Sequence, residues 1–247
     1  MNQLITSPLF ISSLFLATAA QAQVTVSIGP KVGYSLSTAS FHVSDYPDYF
    51  STYSSYRSGV EAGVLAQVGF SDHWAVQPAL LYARKAQRFG TTSYYQPNNY
   101  GSYQEYTLGV NYLLLPVNLL YSQRAGGQGG QVFLGPYVGW LLGGTYRVRY
   151  NEGPGQPKVG GRAYDGTVEA GNTYSAGSRY AIRSLDAGLQ AGVGYGFKAL
   201  QLQASFSLGL RNSGAAYAPT ARHDYEAPVI RTRGFQLSAA YLFGPKS

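Results

Sequence analysis

The sequence predicts an all-β fold: an eight-stranded antiparallel transmembrane β-barrel with short periplasmic turns and long extracellular loops. Apolar and polar residues alternate with a period of two in eight separate segments. These segments are longer than the strands of soluble proteins, and the connections between them alternate between short and long. Only 12% of the 247 residues are charged, about half the share of a typical soluble domain, so the polar strand faces carry few charges.

The first strand shows the alternation clearly. Its even positions from Val24 to Leu36 are apolar or aromatic, with Pro30 among them, and its odd positions from Thr25 to Ser37 are small, polar or charged. A tilted strand needs about 9 to 11 residues to cross a bilayer, whereas strands of soluble proteins have about 5 to 6. The length of this segment therefore indicates a membrane-spanning strand.

The same period recurs in seven further segments that are bounded by turn-forming residues. The predicted strands are 59–70, 74–88, 105–121, 131–150, 183–197, 200–211 and 230–243. Within 105–121 the apolar residues change from even to odd positions near Asn111. This change predicts a β-bulge at that place.

The connections supply a second, independent signal. Short ones lie near 71–73, 122–130 and 198–199, while 38–58, 89–104, 151–182 and 212–229 are long and rich in Tyr, Ser, Asn and Gly. Short turns at one end and long loops at the other are typical of bacterial outer-membrane barrels. A secreted soluble barrel or sandwich is the alternative, but the scarcity of charge and the aromatic residues near strand ends favour a membrane barrel.

The N-terminus predicts export. Residues 1–22 are uncharged and largely apolar, and they end in Ala20, Gln21 and Ala22, the small-x-small pattern of a signal-peptidase site. We therefore expect a signal peptide over 1–22 and a single outer-membrane barrel domain over 23–247. The chain contains no cysteine, which excludes disulfides, thiolate metal sites and a cysteine nucleophile.

Several strings resemble the outer-membrane β-barrel proteins of the PorT-like group from Bacteroidota. They are GPKVGYSLS at 29–37, VQPALLYARK at 76–85, YLLLPVNLLY at 112–121, GPYVGWLLGG at 135–144, LDAGLQAGVGYGF at 185–197 and FQLSAAYLF at 235–243. The resemblance covers nearly all of the mature chain and implies an outer-membrane location, with some members linked to protein secretion or surface assembly. Where that family commonly carries a glutamate and a basic residue, this chain has Leu114 and Leu120. The last strand also resembles the signal that barrel-assembly machinery recognises.

The predicted barrel has a narrow interior. Eight strands leave just enough room for side chains to fill the lumen, so we expect a plugged lumen and no diffusion pore. Counted from the periplasmic ends, Lys31 lies level with Glu61, and Asp186 lies level with Arg211. Because a lone buried charge is unfavourable, we expect these residues to form two lumen ion pairs. A gated proton or ion path is the alternative for the same residues.

Basic residues concentrate near the outer strand ends. The predicted collar consists of Arg84, Arg88, Arg147, Arg149, Arg231 and Arg233. Guanidinium groups match phosphate geometry, so we expect the collar to engage lipopolysaccharide phosphates and outer-membrane lipid; ordinary solvated charge is the alternative. Although the net charge is +7, a basic rim on an exported protein argues against nucleic acid as a partner.

No catalytic constellation emerges from the sequence. His42, His73 and His223 are scattered over two loops and a turn, without a serine and an acid at motif spacing. We therefore expect no enzymatic activity, no metal site and no cofactor. The loops 38–58 and 89–104 are dense in Tyr with Ser and Asn, as binding surfaces are. The predicted role is structural or interactive, with an unidentified extracellular or envelope partner; a narrow channel or an accessory of transport or protein secretion is the alternative.

Overall fold

The computed structural model describes residues 24–42, 50–95, 100–154, 161–174, 179–217 and 229–244. The predicted signal peptide lies outside these residues. The strands are β1 Thr25–His42, β2 Phe50–Gly69, β3 Trp74–Tyr95, β4 Tyr100–Arg124, β5 Gln128–Pro154, β6 Arg162–Ala170, β7 Thr173–Tyr174, β8 Arg179–Ile182, β9 Leu185–Phe197, β10 Leu200–Gly209, β11 Ala216–Tyr217 and β12 Val229–Tyr241. Within the described ranges, no helix is long and apolar enough to cross a membrane.

Eight of these strands form a closed antiparallel ring. Its order is β1, β2, β3, β4, β5, β9, β10 and β12, and β12 pairs back to β1. The closing ladder runs from Lys31 opposite Ala240 to His42 opposite Val229. Closure gives the backbone groups of every ring strand partners on both sides, as strands in lipid require. The predicted eight-stranded barrel is confirmed.

Tight turns join consecutive ring strands at one end of the barrel. They span 70–73, Ala125–Gly127 and Lys198 with Ala199. The second and third turns use the left-handed backbone region, with φ values of 66° and 77° at Gly126 and Gly127 and 51° at Lys198. These turns lie where the sequence predicted short connections.

At the opposite end, the long connections are largely strand, which corrects the prediction that 38–58, 89–104 and 151–182 are loops. β3 and β4 stay paired as far as Tyr95 opposite Tyr100, and β4 and β5 as far as Tyr100 opposite Pro154. Tyr and Thr in these segments have high strand propensity. The Ser and Gly residues around them led to the prediction of loops. Beyond β5, β6 pairs with β5, and β8 runs parallel to β6. The stretches 43–49, 96–99, 155–160, 175–178 and 218–228 lie outside the described residues.

A bulge occurs beside Asn111, as the sequence predicted, but its extra residue lies on the neighbouring strand. Asn111 stands opposite Gly143 and Tyr112 stands opposite Leu141, so Leu142 of β5 is the additional residue. Gly143 accommodates the bulge with a φ of 123°, a conformation that favours glycine.

The change of apolar phase in β4 therefore has a different cause from the predicted one. The pairing of β4 with β3 shows no register shift through this region, and its side chains keep alternating. Leu108 and Val110 face the interior and are buried, whereas Leu115 and Val117 face outward and are exposed. The apolar residues change faces because the upper lumen is itself filled with apolar side chains.

Burial in the ring is the inverse of that in a soluble protein. Exposed apolar side chains form an outward-facing belt: 24–36 at β1, 60–70, 74–82, 113–121, 132–142, 189–197, 200–210 and 235–243. Leu237 in this belt is 64% exposed, whereas Gln77 on the inner face is 0% exposed. Exposed apolar surface is unfavourable in water and is the arrangement that stabilises a barrel in lipid.

Candidate functional site

The lumen nearest the tight turns is filled by glutamines from four ring strands. The Nε2 of Gln77 donates to the Oε1 of Gln67 at 2.9 Å and to the Oε1 of Gln201 at 3.0 Å. Gln203 donates to the Oε1 of Gln77 at 3.0 Å, and Gln201 donates to Gln131 at 2.8 Å. These five residues form the glutamine layer. Amides can donate and accept at once, so the side chains satisfy one another across the barrel.

Above the glutamine layer lies a buried ion pair. The Nζ of Lys85 is 3.4 Å from the Oδ2 of Asp186, and both side chains are buried. Thr232 donates to the same carboxylate at 3.3 Å. The ammonium also faces the rings of Tyr112 and Tyr137, at 5.5 and 5.1 Å from their centroids. Aromatic faces stabilise a desolvated cation, so Lys85 is held by one full charge and two rings.

This ion pair corrects one of the two predicted lumen pairs, Asp186 with Arg211. β10 ends at Gly209, and the backbone N–H groups of Leu210 and Arg211 both donate to the carbonyl of Ala187. The chain therefore leaves the strand alternation before Arg211, whose side chain is exposed. Lys85 takes its place as the partner of Asp186.

The other predicted pair, Lys31 with Glu61, is brought close but not into direct contact. Lys31 stands opposite Gly63 and Glu61 opposite Gly33, so the two are diagonal neighbours. Both side chains are buried, and the Nζ of Lys31 donates to Gln203 at 3.2 Å. The Oε1 of Glu61 has no hydrogen-bond partner among the described residues. A cavity of about 10 Å³ lies between these residues and Lys85.

Sequence reasoning did not identify the role of Lys85 in the lumen. The signal was present in the alternation of β3: Tyr82 and Arg84 share the outward face, so Lys85 must face inward with Ala83 and Gln87. The glutamine layer was missed for a different reason. Polar inward positions were expected, but which amides meet depends on register across four strands.

Apolar side chains fill the lumen towards the long-loop end. Phe89 stacks on Tyr106 with ring centroids 5.3 Å apart, and Tyr180 lies 6.0 Å from Tyr106 and 5.7 Å from Tyr146. Val168 of β6 belongs to the same buried cluster. The strands β6 and β8 thus bring side chains into the cluster at this end of the barrel.

The six predicted collar arginines do not form a ring. Arg84, Arg88, Arg147 and Arg149 line one pocket of about 540 Å³ on the outer wall, together with Asp165. Arg231 and Arg233 lie on β12, across the ring from β4, and their side chains are exposed. The pocket is called the arginine pocket below.

Glu105 of β4 lies beside two of the pocket arginines and contacts both. Its carboxylate is 3.7 Å from Arg88 and 3.8 Å from Arg149, and its side chain is 5% exposed. The hydroxyl groups of Tyr53 and Tyr103 donate to its Oε2 at 2.8 and 2.9 Å. Burial, followed by the hydrogen bonds with Tyr103 and Glu105, raises the pKa of the Tyr53 phenol. Both phenols therefore remain donors at neutral pH.

Asp165 of β6 binds Arg147 at the rim of the pocket. The contact is bidentate, with Nε to Oδ1 at 2.7 Å and Nη2 to Oδ2 at 3.2 Å. The hydrogen bond from Arg147 holds the pKa of Asp165 below its usual value. More than half of each side chain is exposed, so the pair is open to competition from solvent and solutes.

Of the three histidines, the structure describes the side chain of His73. His73 lies in the tight turn before β3, where its Nδ1 is 2.9 Å from the carbonyl oxygen of Ser122. His223 lies outside the described residues. In the part of the chain that the structure describes, no three His, Asp or Glu side chains are grouped closely enough to hold a metal ion.

Comparison with known proteins agrees with this architecture. A family model described as outer membrane protein beta-barrel domain matches residues 20–214. None of the curated proteins matches the chain significantly in sequence.

Several solved outer-membrane proteins are among the structures similar to the chain. OprG from Pseudomonas aeruginosa is 9% identical, with 91% of this chain and 98% of that chain covered and a TM-score of 0.42. Neisserial surface protein A is 11% identical, with 88% and 97% covered and a TM-score of 0.38. Ail of Yersinia pestis, bound to sucrose octasulfate, is 14% identical, with 89% and 99% covered and a TM-score of 0.34.

These identities and TM-scores are too low to carry an inference about function. The assignment rests on the family match, which covers most of the chain, and on the closed ring with its outward apolar belt. The tight turns then lie on the periplasmic side and the extended strands on the extracellular side. The chain belongs to the family of outer membrane protein beta-barrel domains.

Proposed function

We propose that this protein is a non-enzymatic outer-membrane barrel with a plugged lumen, which acts at the cell surface through the strands that project beyond the membrane. The observation that carries the proposal is the continuation of the ring strands past the apolar belt. β3 leaves the belt at Tyr82 and runs on to Tyr95, paired with β4 throughout. At about 3.3 Å per residue, this extension measures roughly 40 Å along the strand.

The projecting part is a defined sheet rather than a set of loops. It comprises 50–58 of β2, 85–95 of β3, 100–110 of β4, 144–154 of β5, and β6; we call it the projecting sheet. β9 and β10 contribute nothing comparable, because they end at Leu185 and Gly209. This sheet projects on one side of the barrel and is rich in Tyr and Ser, which suits contact with another macromolecule.

The side chains of the lumen support a plug. The glutamine layer and the pair of Lys85 with Asp186 cross the barrel at two heights, and the apolar cluster around Tyr180 lies above them. The cavity beside Lys31 and Glu61 is about 10 Å³, close to the space that one water occupies. A continuous water path would have to separate the side chains that hydrogen-bond across the lumen.

The remaining parts of the proposal concern assembly. Residues 1–22 would direct export, and β12, with Phe243 following it, would supply the signal for the barrel-assembly machinery. Among outer-membrane barrels, we place the chain with the PorT-like group, on the strength of the strings quoted above. The outer leaflet lipid and lipopolysaccharide surround the belt in this proposal.

Planar-bilayer recordings test the plug. The purified wild-type barrel should give no steady ion conductance. The double variant Gln77→Ala/Gln203→Ala removes the centre of the glutamine layer, but it should also stay closed, because the pair of Lys85 with Asp186 and the apolar cluster remain above that layer. A general diffusion porin recorded in the same bilayers serves as the control for detection. Steady conductance from the wild type would instead favour the narrow channel.

A shortened barrel tests the surface role. Replacing residues 91–104 by an Asn-Gly turn keeps Gly90 opposite Glu105 and removes the tip of the β3–β4 hairpin. Cells that carry this variant should lose adhesion or cell–cell aggregation while the barrel keeps its heat-dependent gel mobility. Equal adhesion by cells with the full chain, the shortened chain and no chain would contradict the proposal.

A further inference from the structure

We propose that the arginine pocket binds one phosphate group of an outer-leaflet lipid headgroup. The inference deepens the proposed surface role and rests on it, because it requires the barrel to sit in the outer membrane with the projecting sheet outward. It replaces a general basic rim by one site on β3, β4, β5 and β6. In this site the phosphate contacts the four arginines that line the pocket, Arg84, Arg88, Arg147 and Arg149.

The pocket lies directly above the apolar belt. Arg84 follows Tyr82 by two residues on the outward face of β3, and Tyr82 is 46% exposed. On β5, the pocket residue Thr145 lies just past the bulge, and Leu142 below it is 58% exposed. A lipid whose phosphate occupied the pocket would therefore lay its acyl chains along exposed apolar wall.

Two of the arginines are held in place before any ligand arrives. Glu105 contacts Arg88 and Arg149, and it is itself fixed by the hydroxyl groups of Tyr53 and Tyr103. Fixing donors in advance lowers the entropy lost on binding. Glu105 is almost fully buried and does not line the pocket, so it orients the two arginines without filling the pocket.

The other two arginines are available to an anion. Among the described residues, no carboxylate lies within ion-pair distance of Arg84, whose guanidinium lies over Gly109 on β4. Arg147 is paired with Asp165, but that pair is more than half exposed, and an exposed ion pair contributes little stability. A phosphate can displace Asp165 because it offers Arg147 the same bidentate contact with more charge.

The size and charge of the pocket select this ligand over others. A volume of about 540 Å³ falls within the range of about 300 to 1,000 Å³ for small-molecule sites and accommodates a phosphate with an attached sugar. Four arginines against Asp165 and the neighbouring Glu105 leave an excess of positive charge. Arg231 and Arg233 carry the same charge on the opposite wall but do not line this pocket, so they provide a matched control.

Native mass spectrometry of the full-length barrel in detergent tests the inference. The probes are diphosphoryl lipid A, the same lipid without its phosphates, and inorganic phosphate. The wild type should retain one diphosphoryl lipid A in preference to the dephosphorylated lipid. Arg84→Ala/Arg147→Ala should weaken retention by roughly tenfold or more, whereas Arg231→Ala/Arg233→Ala should retain the lipid like the wild type.

Heat-dependent gel mobility shows whether each variant is folded. The milder variant Arg84→Lys/Arg147→Lys keeps the test decisive if the alanine variant does not fold. The lysine variant keeps the charge but loses the bidentate geometry, so it should also bind more weakly than the wild type. Equal retention by the wild type and both alanine variants would overturn the inference. If inorganic phosphate displaced the lipid at equal concentration, the claim that the bound phosphate belongs to a lipid headgroup would be wrong. If the wild-type barrel conducted ions but still retained the lipid, the proposed plug would be wrong and the phosphate site would stand.

Discussion

Lys85 of β3 and Asp186 of β9 meet at 3.4 Å inside the barrel, although three steps of the ring separate their strands. The contact crosses the lumen and ties two walls that share no backbone hydrogen bonds. A buried ion pair is not in itself strong evidence for stability, but breaking one by removing a single partner leaves an uncompensated charge. The first prediction follows from this asymmetry.

Asp186→Asn should destabilise the barrel by about 3–5 kcal/mol, because it leaves the buried Lys85 without its counter-charge. The double variant Lys85→Met/Asp186→Asn should recover part of that loss. Urea unfolding in detergent, followed by the fluorescence of the two tryptophans, measures both free energies. Equal stability of Asp186→Asn and the wild type would show that the pair is not buried as described.

Gln77→Leu should weaken the barrel through the amides it leaves behind. Gln67 and Gln201 would each lose a donor, and Gln203 would lose an acceptor. Each buried polar group left unpaired lowers the free energy of unfolding by about 1–3 kcal/mol. The matched control is Gln123→Leu, since Gln123 is exposed; its free energy of unfolding should stay within about 0.5 kcal/mol of the wild type. Similar values for the two variants would contradict the glutamine layer.

Gly135→Ala should destabilise the barrel where β4 and β5 approach closely. A Cβ at Gly135 would lie 2.0 Å from the carbonyl oxygen of Val117, which is backbone and cannot rotate away. We expect a loss of about 1–3 kcal/mol, the usual range for overpacking. Gly153→Ala is the control, because nothing lies within 4 Å of its added Cβ. Equal unfolding midpoints for Gly135→Ala and Gly153→Ala would contradict the close approach of β4 and β5 at Gly135.

Stability above about pH 10 should depend on Tyr53. Burial and hydrogen bonds to Tyr103 and Glu105 raise the pKa of this phenol in the folded state. The contribution is fully present below the unfolded pKa, about 10, and is lost as the pH rises from there through the raised folded pKa. Tyr53→Phe should therefore show a shallower decline in its urea midpoint between about pH 9 and about pH 11. Parallel declines in the two proteins would contradict the contact with Glu105.

The alternation of apolar and polar residues determined most of the fold in advance. Lipid covers the outer face of the barrel, so the belt residues between Val24 and Phe243 are apolar at every second position. This pattern was sufficient to predict the number of strands, the tight turns and the barrel class. The strand extensions could not be predicted, since cross-strand pairs such as Phe89 with Tyr106 gain their stability from contacts between strands.

The side-chain contacts were predictable only in part. That Lys31, Glu61 and Asp186 face the lumen follows from alternation, but their partners depend on register between strands distant in sequence. A count from the strand ends matched Asp186 to Arg211, because it could not detect that β10 stops at Gly209. The arginine pocket needed the same knowledge, since Asp165 lay in a segment predicted to be a loop and Glu105 lay at the end of a predicted strand.

Spin-label accessibility in lipid vesicles tests the barrel most directly. The chain has no cysteine, so Leu237→Cys and Ser238→Cys can be labelled without background. Leu237 is 64% exposed in the outward belt, and its neighbour Ser238 faces the opposite way. A label at 237 should collide readily with oxygen dissolved in the lipid and rarely with a water-soluble relaxation agent, and a label at 238 should be shielded from lipid. A label at 237 that collides mainly with the water-soluble agent would contradict a barrel whose apolar face spans the membrane.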